Sequence, residues 1–291
     1  GTCAGGASKP ATGAEAATIP GGTAKFPVSS LPQRDFTNFA NLFAARDNLR
    51  QHVVDLSQVV RVLQAQGASS VQGLLAADGN LAAINATSIG YVGQSLGAIL
   101  GTSFLAIHPA VPVGVINVGG APVFDIFADP NSAFNPALKG FFDQLQIPIG
   151  TAAYYSTVEN IRWILDPGDP INLARNVRLS PLTSPLTQAA NPAKRVIVQQ
   201  AGSDTVIPAR HTVRLASTLG LPLDADQHVL GISGEGGNSP TNVSTYFPGA
   251  DHGFLFNFTK PALTTAGQAQ AVTYIASGLN GTPTVIPPSA P

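Results

Sequence analysis

The chain has 291 residues, 44% of them hydrophobic and 11% charged, with a formal net charge of −1 at pH 7. That length supports one large core, and the lack of a basic surplus or a Lys/Arg-rich run argues against nucleic acid and anionic membrane as partners, leaving a small, uncharged or apolar molecule. The lone cysteine, Cys3, rules out an intrachain disulfide and a cysteine-based metal site, though a bridge to another chain stays open.

Residues 1–33, rich in Gly, Ala, Thr and Pro, show neither a helical nor a strand period and read as an extended surface segment. From Asp47, a capping residue type, Leu49, Val53, Leu56, Val60 and Leu63 recur at spacings of four and three, predicting an amphipathic helix. "SIGYV" reads as a buried strand, followed by a very tight connection and the helix "GAILGTSFLAI". "VPVGVINVGGA" and "KRVIVQQAG" are apolar runs closed by glycines, as in parallel strands. The intervening segment, 124–193, carries many prolines and the aromatics Phe141, Phe142, Tyr154, Tyr155 and Trp163. It is too long for an ordinary crossover and reads as a helical cap. "PARHTVRLASTLG" predicts a helix, "VSTYFPGADHGF" a last strand with its loop, and "AGQAQAVTYIASG" a closing helix. The expected divisions are 1–33 extended, 34–123 core, 124–193 cap, 194–280 core and 281–291 tail. This alternation predicts an α/β fold with a mostly parallel sheet covered on both faces, whose chemistry lies at the carboxyl ends of the strands.

"GQSLG" lies at such an end. A sharp strand-to-helix turn needs small flanking residues, here Gly93 and Gly97, and projects the Ser95 hydroxyl above the sheet. The Leu96 N–H, at the start of the next helix, would stabilise negative charge developing on a carbonyl oxygen. A plain turn serine is the alternative. Asp204 follows the third strand, where a carboxylate can hold a histidine tautomer; Asp125, Asp166 and Asp169 read as turn and cap residues. His252, in "GADHGF", comes after Asp204 in the Ser…Asp…His order. His52 falls in the amphipathic helix, His108 at a helix end, and His211 and His228 read as surface or capping residues. Asp251 is expected to anchor the loop.

The ordered set "GQSLG", "GSDTVIP" and "DHGF" resembles the α/β-hydrolase superfamily, and "RDNLRQHVVDLSQVVRVLQ" resembles bacterial extracellular lipases of the virulence-factor type, over about residues 34–280. The resemblance implies Ser95 as nucleophile, Asp204 as acid and His252 as base of a carboxylic-ester hydrolase without a cofactor. Other acyl hydrolases of the fold (amidase, peptidase or thioesterase) and a non-catalytic binding module are the alternatives. The apolar cap fits an ester substrate with an apolar acyl group, from a lipid or aliphatic polyester, unless its aromatics only pack the cap.

Members of that superfamily carry several strands ahead of the nucleophile and an H-G-type loop that gives the second oxyanion donor; residues 1–33 contain neither. With no methionine present, the chain is expected to be the C-terminal portion of the fold, completed by an N-terminal fragment or partner chain. No apolar run approaches the ~18 residues of a membrane span. The resemblance and low charge predict export from a bacterium, to the envelope or beyond. "NAT", "NVS" and "NFT" read as chance matches to the glycosylation pattern.

Overall fold

The computed structural model describes residues 16–18, 25–27, 41–67, 70–78, 84–185, 187–221 and 243–286. Strands β1 (Ala16–Thr18) and β2 (Lys25–Pro27) pair antiparallel within the stretch expected to hold no strand. Three residues are too few to display a period of two, so sequence patterning misses them.

Helix α1 (Leu42–Gln64) starts five residues before Asp47, capped instead by Asn41, whose side chain accepts the Ala44 N–H at 3.0 Å. Asp47 lies inside the helix and bonds Arg46 at 2.8 Å and Arg50 at 3.5 Å. Leu49, Val53 and Val60 of the apolar stripe are buried. A short helix, α2 (Val71–Asp78), follows.

The centre is a parallel sheet in the order β3 (Gly90–Gln94), β4 (Val113–Asn117), β5 (Arg195–Ala201), β6 (Val243–Phe247). Alternate residues face opposite sides, as the strand period requires. Ile116, Val196 and Val198 pack in one cluster with residues of α1, α3 (Leu96–Ile107), α7 (Ile171–Arg178) and α8 (Ala209–Thr218). Val113, Val115 and Ile197 pack on Ala271 and Tyr274 of α9 (Pro261–Leu279). Each fully buried Val or Ile contributes about 1.5–3 kcal/mol, and this two-sided burial explains why "VGVIN" is apolar with one exception, Asn117. Strand β3 closes one side of the sheet among the described residues, with Val92 half-exposed.

Three α-helices stand between β4 and α7: α4 (Val123–Ala128), α5 (Asn135–Gln144) and α6 (Ala152–Leu165). Their aromatics divide. Phe142 is buried against Phe141 and Tyr154, in a cluster with Phe124, Phe127 and Ile161, whereas Tyr155 and Trp163 are 59% and 78% exposed.

Asp169 joins the starts of α4 and α7, accepting the Val123 N–H at 2.6 Å and the Ile171 N–H at 3.0 Å. Burial is the largest influence on it and pushes its carboxyl from 3.8 to about 6, against both backbone bonds. Because the folded chain holds this proton more tightly than the unfolded chain, stability falls as pH rises from about 4 through 6. The stabilisation is complete below the unfolded value, and the loss is about 3 kcal/mol for a shift of this size. Melting curves between pH 4 and 7 should show this fall in the native chain and a flatter profile in Asp169→Asn; parallel profiles would refute it.

Candidate active site

Ser95 sits between β3 and α3 with φ 55° and ψ −119°, a left-handed backbone that costs a non-glycine residue about 1–3 kcal/mol. Its N–H donates to the Asn117 carbonyl at 2.9 Å, and its carbonyl accepts the Ala98 and Ile99 N–H groups at 2.9 and 3.0 Å. The turn is tight enough that a Cβ on Gly93 would strike the Gly97 carbonyl group, its carbon only 2.6 Å away. Gly97 itself has room, the nearest atom being the Tyr91 hydroxyl oxygen at 3.9 Å. Only one of the two flanking glycines is therefore demanded by space. Tyr91 donates its hydroxyl to the Gly97 carbonyl at 2.6 Å, and burial pushes its pKa to about 12, so it remains a donor.

The chain brings Ser95, His252 and Asp204 together from separate loops. His252 Nε2 lies 2.7 Å from Ser95 Oγ, and its Nδ1 2.8 Å from Asp204 Oδ2. With Nδ1 carrying the proton toward the carboxylate, Nε2 faces the hydroxyl as an acceptor. The Asp204 side chain is 2% exposed and that of His252 18%. The other oxygen of Asp204 accepts the Val206 and Ile207 N–H groups, both at 2.9 Å, which pins the carboxylate to its own loop. That loop is strapped from outside: Ala133 N–H donates to the Thr205 carbonyl at 2.7 Å and Ser132 Oγ to the Val206 carbonyl at 2.9 Å. Asp251 braces the histidine loop, accepting from Gly253 N–H at 3.0 Å and Asn257 Nδ2 at 2.5 Å and facing Lys260 at 3.4 Å. Asn257 of "NFT" is thus committed to a partner.

Leu96 is the first residue of α3 and 40% exposed. Its N–H belongs to the first turn, which has no carbonyl partner inside the helix and presents positive charge. Asp125 lies in the first turn of α4 and pairs with Arg162 and Arg214, each at 2.9 Å. Asp166 Oδ1 accepts from Asn172 at 2.9 Å. His52 is half-buried on α1, and His108 ends α3 with Nδ1 accepting the Ala110 N–H at 3.3 Å.

His211 differs from expectation. It is buried, not at the surface, with Nε2 2.9 Å from Asp129 Oδ2, and Arg210 grips the same carboxylate. Its burial depends on Asp129, 82 residues away, which no local pattern on α8 reveals. Cys3 and His228 lie outside the described residues. Sequence reasoning also missed Ser132 and Gln94; Gln94 Nε2 donates to the His252 carbonyl at 3.1 Å across 158 residues. Among the described residues no three His, Cys, Asp or Glu side chains are grouped to hold a metal ion, and no helix is long and apolar enough to cross a membrane.

A parallel sheet with helices on both faces, a strained strand-to-helix serine, and acid and histidine loops at the carboxyl ends of later strands define a partial α/β-hydrolase fold. Solved structures similar to the chain include a puromycin hydrolase (TM-score 0.42, 14% identity, covering 76% of this chain and 26% of that one). Others are acetyl xylan esterase 1 from Thermoanaerobacterium (0.38, 16%, 66% and 49%) and an esterase of Pyrococcus furiosus (0.36, 12%, 75% and 60%). The chain spans about a quarter of the length of the first of these. No protein-family model and no curated protein matches it. At these values the chemistry rests on the chain's own geometry.

The two glycines of the elbow should respond differently to a methyl group. Gly93→Ala is expected to lower stability by about 1–3 kcal/mol through overpacking and to displace Ser95, whereas Gly97→Ala should melt within about 0.5 kcal/mol of the native chain. Chemical denaturation of both variants checks this, and equal losses would contradict the spacing.

Proposed function

We propose that this chain carries the catalytic triad of a serine hydrolase that cleaves carboxylic esters through an acyl-enzyme. The observation that carries the reading is the pair of short bonds on His252, 2.7 Å to Ser95 Oγ and 2.8 Å to Asp204 Oδ2. His252 Nε2 takes the hydroxyl proton as Oγ bonds to the ester carbonyl carbon. Asp204 stabilises the resulting imidazolium, and the Leu96 N–H stabilises the oxyanion. Collapse breaks the bond to the alcohol oxygen, which leaves with the proton from Nε2. A water then gives its proton to Nε2 and its hydroxyl to the acyl carbon, and expulsion of Oγ, reprotonated from Nε2, releases the acid.

An apolar acyl group is supported by the surroundings: Leu96 flanks the nucleophile, and Phe256 and Phe258, on the loop that carries His252, are 66% and 74% exposed. A fluorophosphonate should label the native chain once per molecule and fail on Ser95→Ala, whose ester turnover should drop by about 10⁶. A loss of only tenfold would end the reading. Faster turnover of p-nitroanilides than of p-nitrophenyl esters would transfer it to an amidase or peptidase, and turnover confined to the acetate ester would remove the apolar acyl group.

The reading includes a partner segment on the open side of β3. That strand is bonded only to β4 among the described residues, and its free edge carries backbone N–H and C=O groups beside half-exposed Val92. A strand laid there, from an N-terminal fragment or partner chain, would cover those groups and bring a second oxyanion donor opposite Leu96. Residues 1–291 expressed alone are expected to associate or to label slowly. A monomer that melts cooperatively and is fully active would exclude the partner.

A further inference from the structure

Four polar residues stand at one level of the sheet. The register pairs Gln94 with Asn117, Asn117 with Gln199, and Gln199 with Thr245, one residue from each strand and all on the side that α9 covers. Asn117, Gln199 and Thr245 are fully buried, as is Gln270 of α9. Asn117 Nδ2 donates to Gln199 Oε1 at 2.9 Å, and Gln199 Nε2 donates to Gln270 Oε1 at 2.9 Å and to the Gly267 carbonyl at 3.0 Å. Thr245 Oγ1 donates to the same Gln270 oxygen at 2.8 Å. A row of amides in a sheet interior is costly unless bonded, and this row is bonded from β4 to α9.

At the β3 end the row reaches the active site. Gln94 is the last residue of β3 and the neighbour of Ser95; its Nε2 donates to the His252 carbonyl at 3.1 Å. Residues 94 and 95 therefore hold His252 at two points, Gln94 by the main chain and Ser95 by the ring nitrogen. One point sets a distance only; two restrict the swing of the loop about the contact. Asp251 and its partners brace the loop from the far side, which leaves Gln94 as the described bond tying residue 252 to the nucleophile's own strand.

We propose that Gln94 is a positioning residue for His252, holding the imidazole over Ser95 through the loop carbonyl. This rests on the hydrolase reading given above. Gln94→Leu keeps most of the volume and removes the donor; it should label with fluorophosphonate about tenfold to a hundredfold more slowly, the scale expected for displacement of a reacting group by about 1 Å. Gln94→Glu gives a finer test. Ionised, its carboxylate faces a carbonyl oxygen and repels it; protonated, its O–H donates to that oxygen. The ratio of its labelling rate to that of the native chain should therefore rise several-fold between pH 8 and pH 5, which loss of packing alone would not produce.

A Gln94→Leu rate within twofold of native, or a flat ratio for Gln94→Glu, overturns the proposal. If Gln94→Leu does not fold, the ratio for Gln94→Glu decides. Absence of labelling in the native chain defeats the hydrolase reading instead. Position is then judged by the His252 ring N–H resonance, assigned by its loss in His252→Ala: a change between the two pH values that differs between Gln94→Glu and the native chain supports the proposal, and an identical response in both overturns it.

Discussion

The left-handed turn at Ser95 is the constraint on which the rest of the site depends. With φ at 55° the backbone reverses within one residue, so the carboxyl end of β3 and the amino end of α3 meet at the same point. That reversal brings Gly93 against the Gly97 carbonyl, where a Cβ has no space. It also leaves the Ser95 N–H to the Asn117 carbonyl and turns the hydroxyl outward toward His252. The strain is offset by fully formed bonds on either side of it: Ser95 contributes its N–H to the neighbouring strand and its carbonyl to two helix amides.

The two partner loops are built differently from the elbow. The Asp204 loop is short, and its carboxylate folds back onto two amides of its own backbone, with the α4–α5 connection strapping it from outside. The His252 loop is longer and held from both ends, by Asp251 with Asn257 and Lys260 on one side and by Gln94 on the other. A pinned carboxylate, a braced imidazole and a strained serine are set before any substrate arrives, which is what the proposed mechanism needs for electrostatic stabilisation without reorganisation.

How much of this is legible in sequence follows from the range of each interaction. The strands of the parallel sheet are legible because burial on both faces makes "VGVI" and "VIV" apolar throughout. Ser95, Asp204 and His252 can be picked out because each is marked by a local turn signal and because their order along the chain restricts the choice. Local signals mislead where the true partner is distant or the element too short. Asp47 looks like a cap although Asn41 takes that role, because a sequence pattern cannot show that Arg46 and Arg50 already occupy the carboxylate. His211 looks exposed on α8 because Asp129, which accounts for its burial, lies 82 residues away. Gly97 looks as necessary as Gly93, since both satisfy the same motif and only the three-dimensional spacing separates them.

The polar row under the site shows what the apolar core alone would leave open. Replacing Asn117, Gln199 and Thr245 by residues such as Val would bury more apolar surface, but burial is not directional, and a strand slipped by two residues along its neighbour would keep much of it. An amide row is less forgiving, because a slip leaves buried donors and acceptors unpaired at about 1–3 kcal/mol each. Register matters most here: Asn117 supplies the carbonyl that receives Ser95, and β5 and β6 deliver Asp204 and His252 from their carboxyl ends. The row is complete toward α9 and incomplete toward β3, where buried Asn117 Oδ1 and Gln94 Oε1 lack protein partners. Both acceptors thus lie at the end of the row that faces the open side of the sheet, next to Ser95.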